Sequence, residues 1–260
     1  MFYKLGMFNL GKFLEYHYNE RNNKKELLFD KPDPLIILRS VIQSNITKSH
    51  VEAACICALL AYGNAKQIMN TLSKLDFSLL DEDVDCIASS VFPIYRFQSS
   101  EDIKSIFIAL ALLKKEGGIE NIFLNSYSHD NSVITGINAL ICALRKNVIM
   151  TRGLDFLIGR VSVNPKNSSP LKRWNLFLRW LVRKDNIDLG IWNGKVDTSN
   201  LILPLDTHTF RLGYKFNLLQ RKIYDLQGAM EITNNLKKFC PHDPVKYDFA
   251  LYRLGQENIY

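Results

Sequence analysis

Residues 201–213 read LILPLDTHTFRLG. An apolar run ends at a proline and one more leucine, and Asp206 then stands where helical periodicity resumes. An aspartate in this position caps a helix, because its carboxylate accepts hydrogen bonds from the first free backbone N–H groups. The stretch therefore predicts a helix that begins after Asp206. Whether this aspartate also takes part in chemistry depends on the rest of the chain.

The rest of the chain is dominated by helical periodicity, with apolar residues recurring at spacings of three and four. No stretch alternates in the manner of a strand between hairpin turns, so we expect little sheet. The acidic stretch 79–85 is predicted to be a solvated turn between helices. Helices are predicted near residues 8–20, 34–45, 48–62, 64–75, 101–115, 131–145, 170–184, 207–219, 228–239 and 244–254. The sequence therefore predicts an all-α fold with short connections.

The composition is that of an ordinary globular protein, with 260 residues, 47% hydrophobic and 23% charged. The net charge of +7 favours an anionic partner, and nucleic acid leads the candidates, although ribosomal and membrane-surface proteins share this balance. The five cysteines show no metal-ligand spacing, which predicts reduced thiols in the cytoplasm and neither a zinc site nor an iron–sulfur cluster. No apolar run reaches membrane-spanning length.

Residues 160–184 form the most basic stretch of the chain, with seven lysines and arginines and no acid. The second half of this stretch predicts an amphipathic helix with Ser169 as its cap and Pro170 at its first position. Its basic side chains have one plain interpretation, a solvated helix face. The apolar face is predicted to carry Trp174, Phe177, Leu178 and Leu181.

Lys172 favours a second interpretation of the same helix. A helix N-terminus disfavours positive charge, so a purely structural surface would sooner carry an acid in this first turn. A neutral lysine amine in such a position is a nucleophile. The preceding residues NPKNSS are predicted to form a tight polar hairpin whose amides could hold a phosphate.

The segment LPLDTHTFRLG closely resembles the V-D-T-H-x-x-R segment of endonuclease III and its relatives, the helix–hairpin–helix DNA glycosylases. In that superfamily the aspartate is the catalytic carboxylate, and in the bifunctional members a catalytic lysine lies on the second helix of the preceding hairpin. The resemblance assigns these roles to Asp206 and Lys172, which are separated by 206 − 172 = 34 positions.

The chain also departs from endonuclease III in three respects. The spacing is longer, NSSPLKR replaces the glycine-rich hairpin L-P-G-V-G-x-K, and the four-cysteine cluster is absent. In these respects it resembles the archaeal 8-oxoguanine DNA glycosylases of the AGOG type. It also resembles a bacterial family of unknown function, to which KRWNLFLRWLVRKDNIDLGIW and DPVKYDFALYRLG are similar. The resemblance covers most of residues 50–256.

The resemblance implies further contacts with DNA. Asp248 and Tyr252 match the acid and the aromatic residue that hold the damaged base in the archaeal enzymes. As an acceptor, Asp248 would favour a base with a proton at N7, which 8-oxoguanine has and guanine lacks. Gly63 and Asn64 align with the turn from which superfamily members insert a polar residue into DNA. Lys166, Arg173 and Arg179 would bind phosphates.

Each of these residues also has a purely structural interpretation. Asp206 caps a helix in any case, and Tyr252 on an apolar helix face is often a core residue. His208 is expected to be a structural histidine, since the implied mechanism has no role for it. Trp174 and Trp180 are predicted to lie in the core.

The resemblance implies a helix–hairpin–helix glycosylase fold in one unit, residues 1–260. A helical barrel at 50–195 would end in the hairpin, residues 1–49 plus 196–260 would form a second helical subdomain, and the active site would lie in the cleft between them. It implies a bifunctional DNA glycosylase/AP (apurinic or apyrimidinic site) lyase of base excision repair. Such an enzyme excises 8-oxoguanine through a lysine Schiff base and cleaves the strand by β-elimination.

The resemblance further implies a monomer without metal or organic cofactor, acting on double-stranded DNA that contains oxidised guanine, in the bacterial cytoplasm and at the nucleoid. Two alternatives remain open. One is a glycosylase of the same fold with another damaged base as its substrate, in which Lys172 would contact a phosphate. The other is a non-catalytic helical DNA-binding protein.

Overall fold

The computed structural model describes residues 7–27 and 33–258. Three short segments lie outside the described residues: 1–6, 28–32 and 259–260. All three belong to the second predicted subdomain, 1–49 plus 196–260. Within the described ranges the α-helices are α1 (Met7–Arg21), α2 (Leu35–Gln43), α3 (His50–Leu59), α4 (Ala65–Leu72), α5 (Val84–Ser89), α6 (Ser100–Lys115), α7 (Gly118–Tyr127), α8 (Val133–Lys146), α9 (Arg152–Ile158), α10 (Lys172–Val182), α11 (Thr207–Lys215), α12 (Leu226–Leu236) and α13 (Asp248–Glu257).

Short 3-10 helices complete the secondary structure, at Lys24–Leu27, Phe77–Asp81, Pro165–Asn167, Thr198–Asn200 and Pro244–Tyr247. The described residues contain isolated β-bridges and no strand. The prediction of an all-α fold is therefore confirmed. None of the helices in the described part of the chain combines the length and the hydropathy that a membrane span requires.

Each of the ten predicted helical segments overlaps one observed α-helix, whereas α5, α7 and α9 were not predicted. The predicted turn at 79–85 needs correction. Residues Phe77–Asp81 form a 3-10 helix that buries Leu79 and Leu80, and Asp83 then caps α5 by accepting a hydrogen bond from Cys86 N at 2.8 Å. Glu82, Asp83 and Asp85 are exposed as expected, whereas the Asp81 carboxylate binds Thr47, Ser49 and Lys114. The backbone is helical on both sides of Glu82 and Asp83.

The chain divides into two compact units. Unit 1 comprises Met1–Glu26 and Ser162–Tyr260, and unit 2 comprises Leu27–Val161. These boundaries differ from the predicted subdomains, 50–195 and 1–49 plus 196–260. The main difference concerns α10, which was predicted to end the barrel. It belongs to unit 1, where Arg179 and Arg183 make buried ion pairs with residues of the same unit.

Unit 2 has an apolar interior built on α6, α7 and α8, which pack against one another. Phe107 and Phe123 are fully buried in it. Gly136 lets α8 approach α7, because a Cβ atom at this position would lie 2.5 Å from the Phe123 ring. A larger residue there would force the two helices apart.

In unit 1, α13 packs against α11 and against α1. All three tryptophans of the chain, Trp174, Trp180 and Trp192, are buried here, so the predicted core positions of Trp174 and Trp180 are confirmed. The backbone N–H groups of Leu189 and Trp192 donate to the last carbonyls of α10, at 2.9 and 2.7 Å. These bonds satisfy the C-terminal end of α10 and fix its position in unit 1.

Candidate active site

Asp206 is the N-cap of α11, as its sequence context predicts. The buried run 201–205 leads into it, and its Oδ1 accepts hydrogen bonds from His208 N and Thr209 N, both at 2.8 Å. Thr209 completes a capping box, since the Asp206 backbone N–H donates to Thr209 Oγ1 at 2.9 Å. These bonds hold one carboxylate oxygen and leave Oδ2 outside the cap. The side chain is only 9% exposed.

Lys172 is the first residue of α10. Leu171 before it is buried and adopts the left-handed conformation (φ 52°, ψ 33°), which is unusual for a bulky side chain. Asn175 holds this turn, because its Nδ2 donates to Pro170 O at 3.1 Å while its backbone N–H donates to Leu171 O at 2.9 Å. Strained backbone of this kind concentrates at functional sites.

The predicted start of this helix is wrong by two residues. Ser169 does not cap it and Pro170 does not open it, because the left-handed Leu171 separates them from the helical residues. Lys172 nevertheless lies in the first turn, as predicted.

The structure brings Lys172 and Asp206 together. The Lys172 Nζ atom lies 3.8 Å from Asp206 Oδ2, the oxygen that the cap leaves available, and the lysine side chain is 33% exposed. At this separation the two groups form an ion pair without a hydrogen bond. A nucleophile and a charge-stabilising group that act on one atom must lie this close to each other.

Asp248 is the first residue of α13 and is almost fully buried. Its Oδ2 accepts a hydrogen bond from Arg179 Nη1 at 2.5 Å, whereas its Oδ1 accepts none from any residue that the structure describes. Burial raises the pKa of Asp248 to about 6, Arg179 opposes this rise, and the charges of Asp206 and Asp188 add to it. Asp206 and Asp248 are thus close enough to interact electrostatically.

Arg179 has a different role from the predicted phosphate contact. Its side chain is 4% exposed, and its Nε donates to Asp188 Oδ1 at 3.1 Å while Nη1 holds Asp248. The charge of Arg179 is offset by two buried carboxylates, so Arg179 is not the exposed cation that was predicted to bind a phosphate. The prediction of a solvated basic face is also wrong at Arg183. Its side chain is buried beside Arg179, and its Nη1 binds Asp188.

Arg183 extends this buried cluster to two further acids. Its Nη2 lies 2.9 Å from Asp185 Oδ2, and its Nε lies 2.9 Å from Asp243 Oδ1. Asp243 precedes the 3-10 helix Pro244–Tyr247, but its side chain makes no cap hydrogen bond and binds Arg183. The sequence signal was present in RWLVRKDNID, where two arginines at i and i+4 precede two aspartates, but only a fold can show that they face inward.

Tyr252 lies one turn after Asp248 on α13 and is half-buried. Its ring meets the His208 ring edge-on at 6.1 Å, and its hydroxyl accepts a hydrogen bond from Gln256 Nε2 at 2.6 Å. Gly255 permits α13 to approach α11 here, since a Cβ atom on it would lie 2.5 Å from His208 Cβ. The close α11–α13 contact therefore carries both Asp206 and Asp248.

Lys166 lies just before α10, and Arg173 lies in its first turn. Lys166 is exposed in the 3-10 helix Pro165–Asn167, where Asn164 Oδ1 accepts its backbone N–H at 3.0 Å. Arg173 is half-buried in the first turn of α10. Their contacts with phosphates stay predictions.

Gly63 and Asn64 belong to unit 2, whereas the other candidate residues belong to unit 1. They form a turn as predicted, with Gly63 at φ 97° and Asn64 capping α4 through a 2.9 Å hydrogen bond from Lys66 N. Gly63 packs closely on Arg96, whose guanidinium lies 5.5 Å from the centroids of the Tyr62 and Phe97 rings. Their contact with DNA stays a prediction.

The donor set of the candidate site consists of one amine, two separately held carboxylates and a phenol. No group of three or more His, Cys, Asp or Glu side chains in the described residues is arranged to bind a metal ion. All five cysteines are free thiols.

Comparison with known proteins gives one family. A family model described as "Protein of unknown function (DUF2400)" matches residues 33–257. This match confirms the part of the predicted resemblance that pointed to a family of unknown function. No curated protein and no solved structure matches the chain.

Proposed function

The chain belongs to this family of unknown function, and we propose that it is a bifunctional DNA glycosylase/AP lyase that removes 8-oxoguanine. The fold would be that of the helix–hairpin–helix glycosylases, in the form that the AGOG type takes. The observation that carries the proposal is the Lys172–Asp206 pair. A lysine amine lies 3.8 Å from the free oxygen of a buried, capped aspartate, and these are the two residues that the glycosylase resemblance assigns to catalysis.

Asp206 would act on the sugar. Breaking the N-glycosidic bond transfers the bonding electrons to the base and leaves positive charge at C1′. A carboxylate fixed by two backbone N–H groups stabilises this charge without first having to reorganise. The leaving base takes up a proton.

Lys172 would act on the same carbon. The neutral amine forms a bond from Nζ to C1′ and gives up one proton. The C1′–O4′ bond then breaks, O4′ takes its electron pair and a proton, and the nitrogen lone pair forms the C=N bond of a protonated Schiff base. Removal of a proton from C2′ then breaks the C3′–O bond and cleaves the strand by β-elimination. An enzyme with Asp206 alone would have to use water as the nucleophile, and it would release the base without cutting the strand.

Asp248 and Tyr252 would recognise the extruded base. A base that reacts at its glycosidic bond must leave the helical stack and be held by stacking and by polar contacts at its edge. Asp248 Oδ1 is a buried acceptor without a donor among the described residues, and Tyr252 lies one turn away. An acceptor suits the N7 proton of 8-oxoguanine.

The remaining features support DNA as the partner. The chain carries a net charge of +7, and the exposed Lys166 and half-buried Arg173 lie near the start of α10, which carries Lys172. The proposal places a monomer on damaged duplex DNA in the cytoplasm, associated with the nucleoid, and it needs no metal or organic cofactor.

Borohydride trapping tests the proposal. Reduction of the Schiff base should couple the wild-type protein covalently to a duplex with 8-oxoguanine, and Lys172→Gln should abolish the adduct. Lys184→Gln is the matched control, because it removes the same charge from the exposed end of the same basic stretch. It should leave the adduct intact.

The outcomes separate the alternatives. No adduct on any duplex of a panel of damaged bases would contradict the lyase. Base release without an adduct would identify a glycosylase that uses water, with Lys172 as a phosphate contact. Binding that survives Asp206→Asn, with no base release from any lesion, would identify a non-catalytic DNA-binding protein.

A further inference from the structure

Unit 1 buries a chain of alternating charges that ends at Asp248. Arg179 Nη1 lies 2.5 Å from Asp248 Oδ2, and Arg179 Nε lies 3.1 Å from Asp188 Oδ1. Arg183 Nη1 binds the other oxygen of Asp188. All four side chains are at most 4% exposed. Burying such a chain removes strong hydration from every member, so its presence in the interior does not follow from stability alone.

The second carboxylate oxygen of Asp248, Oδ1, is available as an acceptor for a ligand. Asp248 Oδ1 is buried and accepts no hydrogen bond within the described part of the chain. The other oxygen, Asp248 Oδ2, accepts a hydrogen bond from the planar guanidinium of Arg179, which in turn donates to Asp188. The carboxyl group therefore cannot rotate freely, and it offers one defined acceptor position.

We propose that Arg179 and Asp188 are positioning residues that set the base specificity of the site, with Arg179 keeping Asp248 as an ionised acceptor and Asp188 fixing the guanidinium. This inference rests on the proposed function, because it requires Asp248 to contact the base.

The protonation state of Asp248 would decide which base is accepted. An ionised carboxylate only accepts hydrogen bonds, so it pairs with the N7 proton of 8-oxoguanine and repels the N7 lone pair of guanine. A protonated carboxyl group can donate to that lone pair instead. Loss of the negative charge would therefore weaken the preference for the oxidised base.

Charged groups from three parts of unit 1 act on this balance. Together these groups and burial raise the pKa of Asp248 to about 6. Burial is the largest cause, and the negative charges of Asp206 at the start of α11 and Asp188 after α10 also raise the pKa, whereas the positive charge of Arg179 on α10 lowers it. Loss of Arg179 would raise the pKa further and favour the neutral carboxyl group.

Arg179→Gln and Asp188→Asn form a matched pair of variants. The first removes a positive charge near Asp248, and the second removes a negative charge. The full-length protein with labelled aspartate carboxyl carbons is titrated by NMR. The binding of the nucleosides 8-oxo-2′-deoxyguanosine and 2′-deoxyguanosine, in which N9 carries the sugar, is measured at neutral pH. Arg179→Gln should raise the Asp248 titration by about one to three pH units and reduce the preference for 8-oxoguanine about tenfold or more. Asp188→Asn should move the titration to lower pH and keep the preference, because the amide oxygen of asparagine can still accept the hydrogen bond from Arg179 Nε and so still fix the guanidinium.

Shifts in the same direction in both variants would overturn the inference, as would a preference that does not respond to Arg179→Gln. A wild-type protein that binds neither nucleoside would also overturn the inference. Arg179→Lys covers the case in which Arg179→Gln does not fold. It keeps the charge but cannot hold both carboxylates with a planar fork, so the preference should fall while the titration moves less than about one unit. An unchanged preference in Arg179→Lys would contradict the positioning role.

The two proposals fail in different ways. Failure of the lyase chemistry appears as a missing borohydride adduct, and the titration of Asp248 is unaffected by that result. Failure of the positioning role appears in an enzyme that still forms the adduct, as a titration or a base preference that does not depend on Arg179.

Discussion

The interiors of the two units are built from different side chains. In the described residues, unit 2 buries an apolar core with two charged side chains, Glu52 and Asp102. Unit 1 buries arginines as well as acids, namely Arg179, Arg183, Arg253, Asp188, Asp206, Asp225 and Asp248. Unit 2 forms its core without a buried arginine, which indicates that a helical unit of this size does not need internal ion pairs. Packing alone therefore does not account for the buried charges of unit 1.

Arg183→Gln should produce the largest loss of stability, because it leaves acids of unit 1 buried without their cation. Breaking a buried pair by removing one partner costs about 3–5 kcal/mol. Urea unfolding followed by tryptophan fluorescence reports on unit 1, because all three tryptophans belong to it.

Arg145→Gln in unit 2 is the control. Arg145 pairs with Asp155 at 2.8 Å, but both side chains are about one third exposed. Exposed pairs contribute about 0–1 kcal/mol, so this variant should change the unfolding of unit 2 only slightly, as measured by circular dichroism. Equal losses in the two variants would remove the distinction between the two interiors.

Asp206→Asn should separate capping from catalysis. Asparagine caps helices about as well as aspartate, so the stability of α11 should be nearly unchanged. Loss of the carboxylate that stabilises charge at C1′ should slow base release by about 10²–10³-fold in single-turnover assays. Asp83→Asn, at the cap of α5 in unit 2, should alter neither quantity. Release at the wild-type rate by Asp206→Asn would reduce Asp206 to a cap.

The sequence predicted local features well, because they depend on few neighbouring residues. Asp206 caps α11 as predicted, and the helix predicted at 101–115 is α6, which begins at Ser100 after a capping box between Ser99 and Asp102. The short helices α5 and α9 escaped prediction, since six or seven residues give too little periodicity to detect. The start of α10 was misplaced because a leucine is not expected in the left-handed region.

The candidate site shows the same division between local and non-local information. Family resemblance paired Lys172 with Asp206 across 34 positions, and the structure brings the two groups to 3.8 Å. Amphipathic reasoning failed at Arg179, because a basic helix face looks solvated until the acids that cover it are known. Those acids, Asp188 and Asp248, come from two different segments, and one of them lies 69 positions from Arg179.

A substitution of Glu52 in α3 should have the smallest effect on stability, and it tests whether unit 2 accommodates a buried charge differently from unit 1. Burial raises the pKa of Glu52, and its own backbone N–H and Lys114 oppose the rise only in part. A carboxyl group whose pKa is higher in the folded than in the unfolded state adds most stability below its unfolded pKa, and loses that contribution as pH rises through its folded pKa.

Glu52→Gln should therefore stabilise unit 2 at pH 7–8 and have little effect near pH 4, with about 1.4 kcal/mol for each unit by which the two pKa values differ. Urea unfolding by circular dichroism and amide hydrogen exchange in α3 measure the effect, and the exposed Glu82→Gln should show no such pH dependence. A variant that is less stable than the wild type at pH 8 would mean that the ionised Glu52 is held by partners, as the acids of unit 1 are. The two interiors would then differ in the number of their buried charges and not in how they accommodate them.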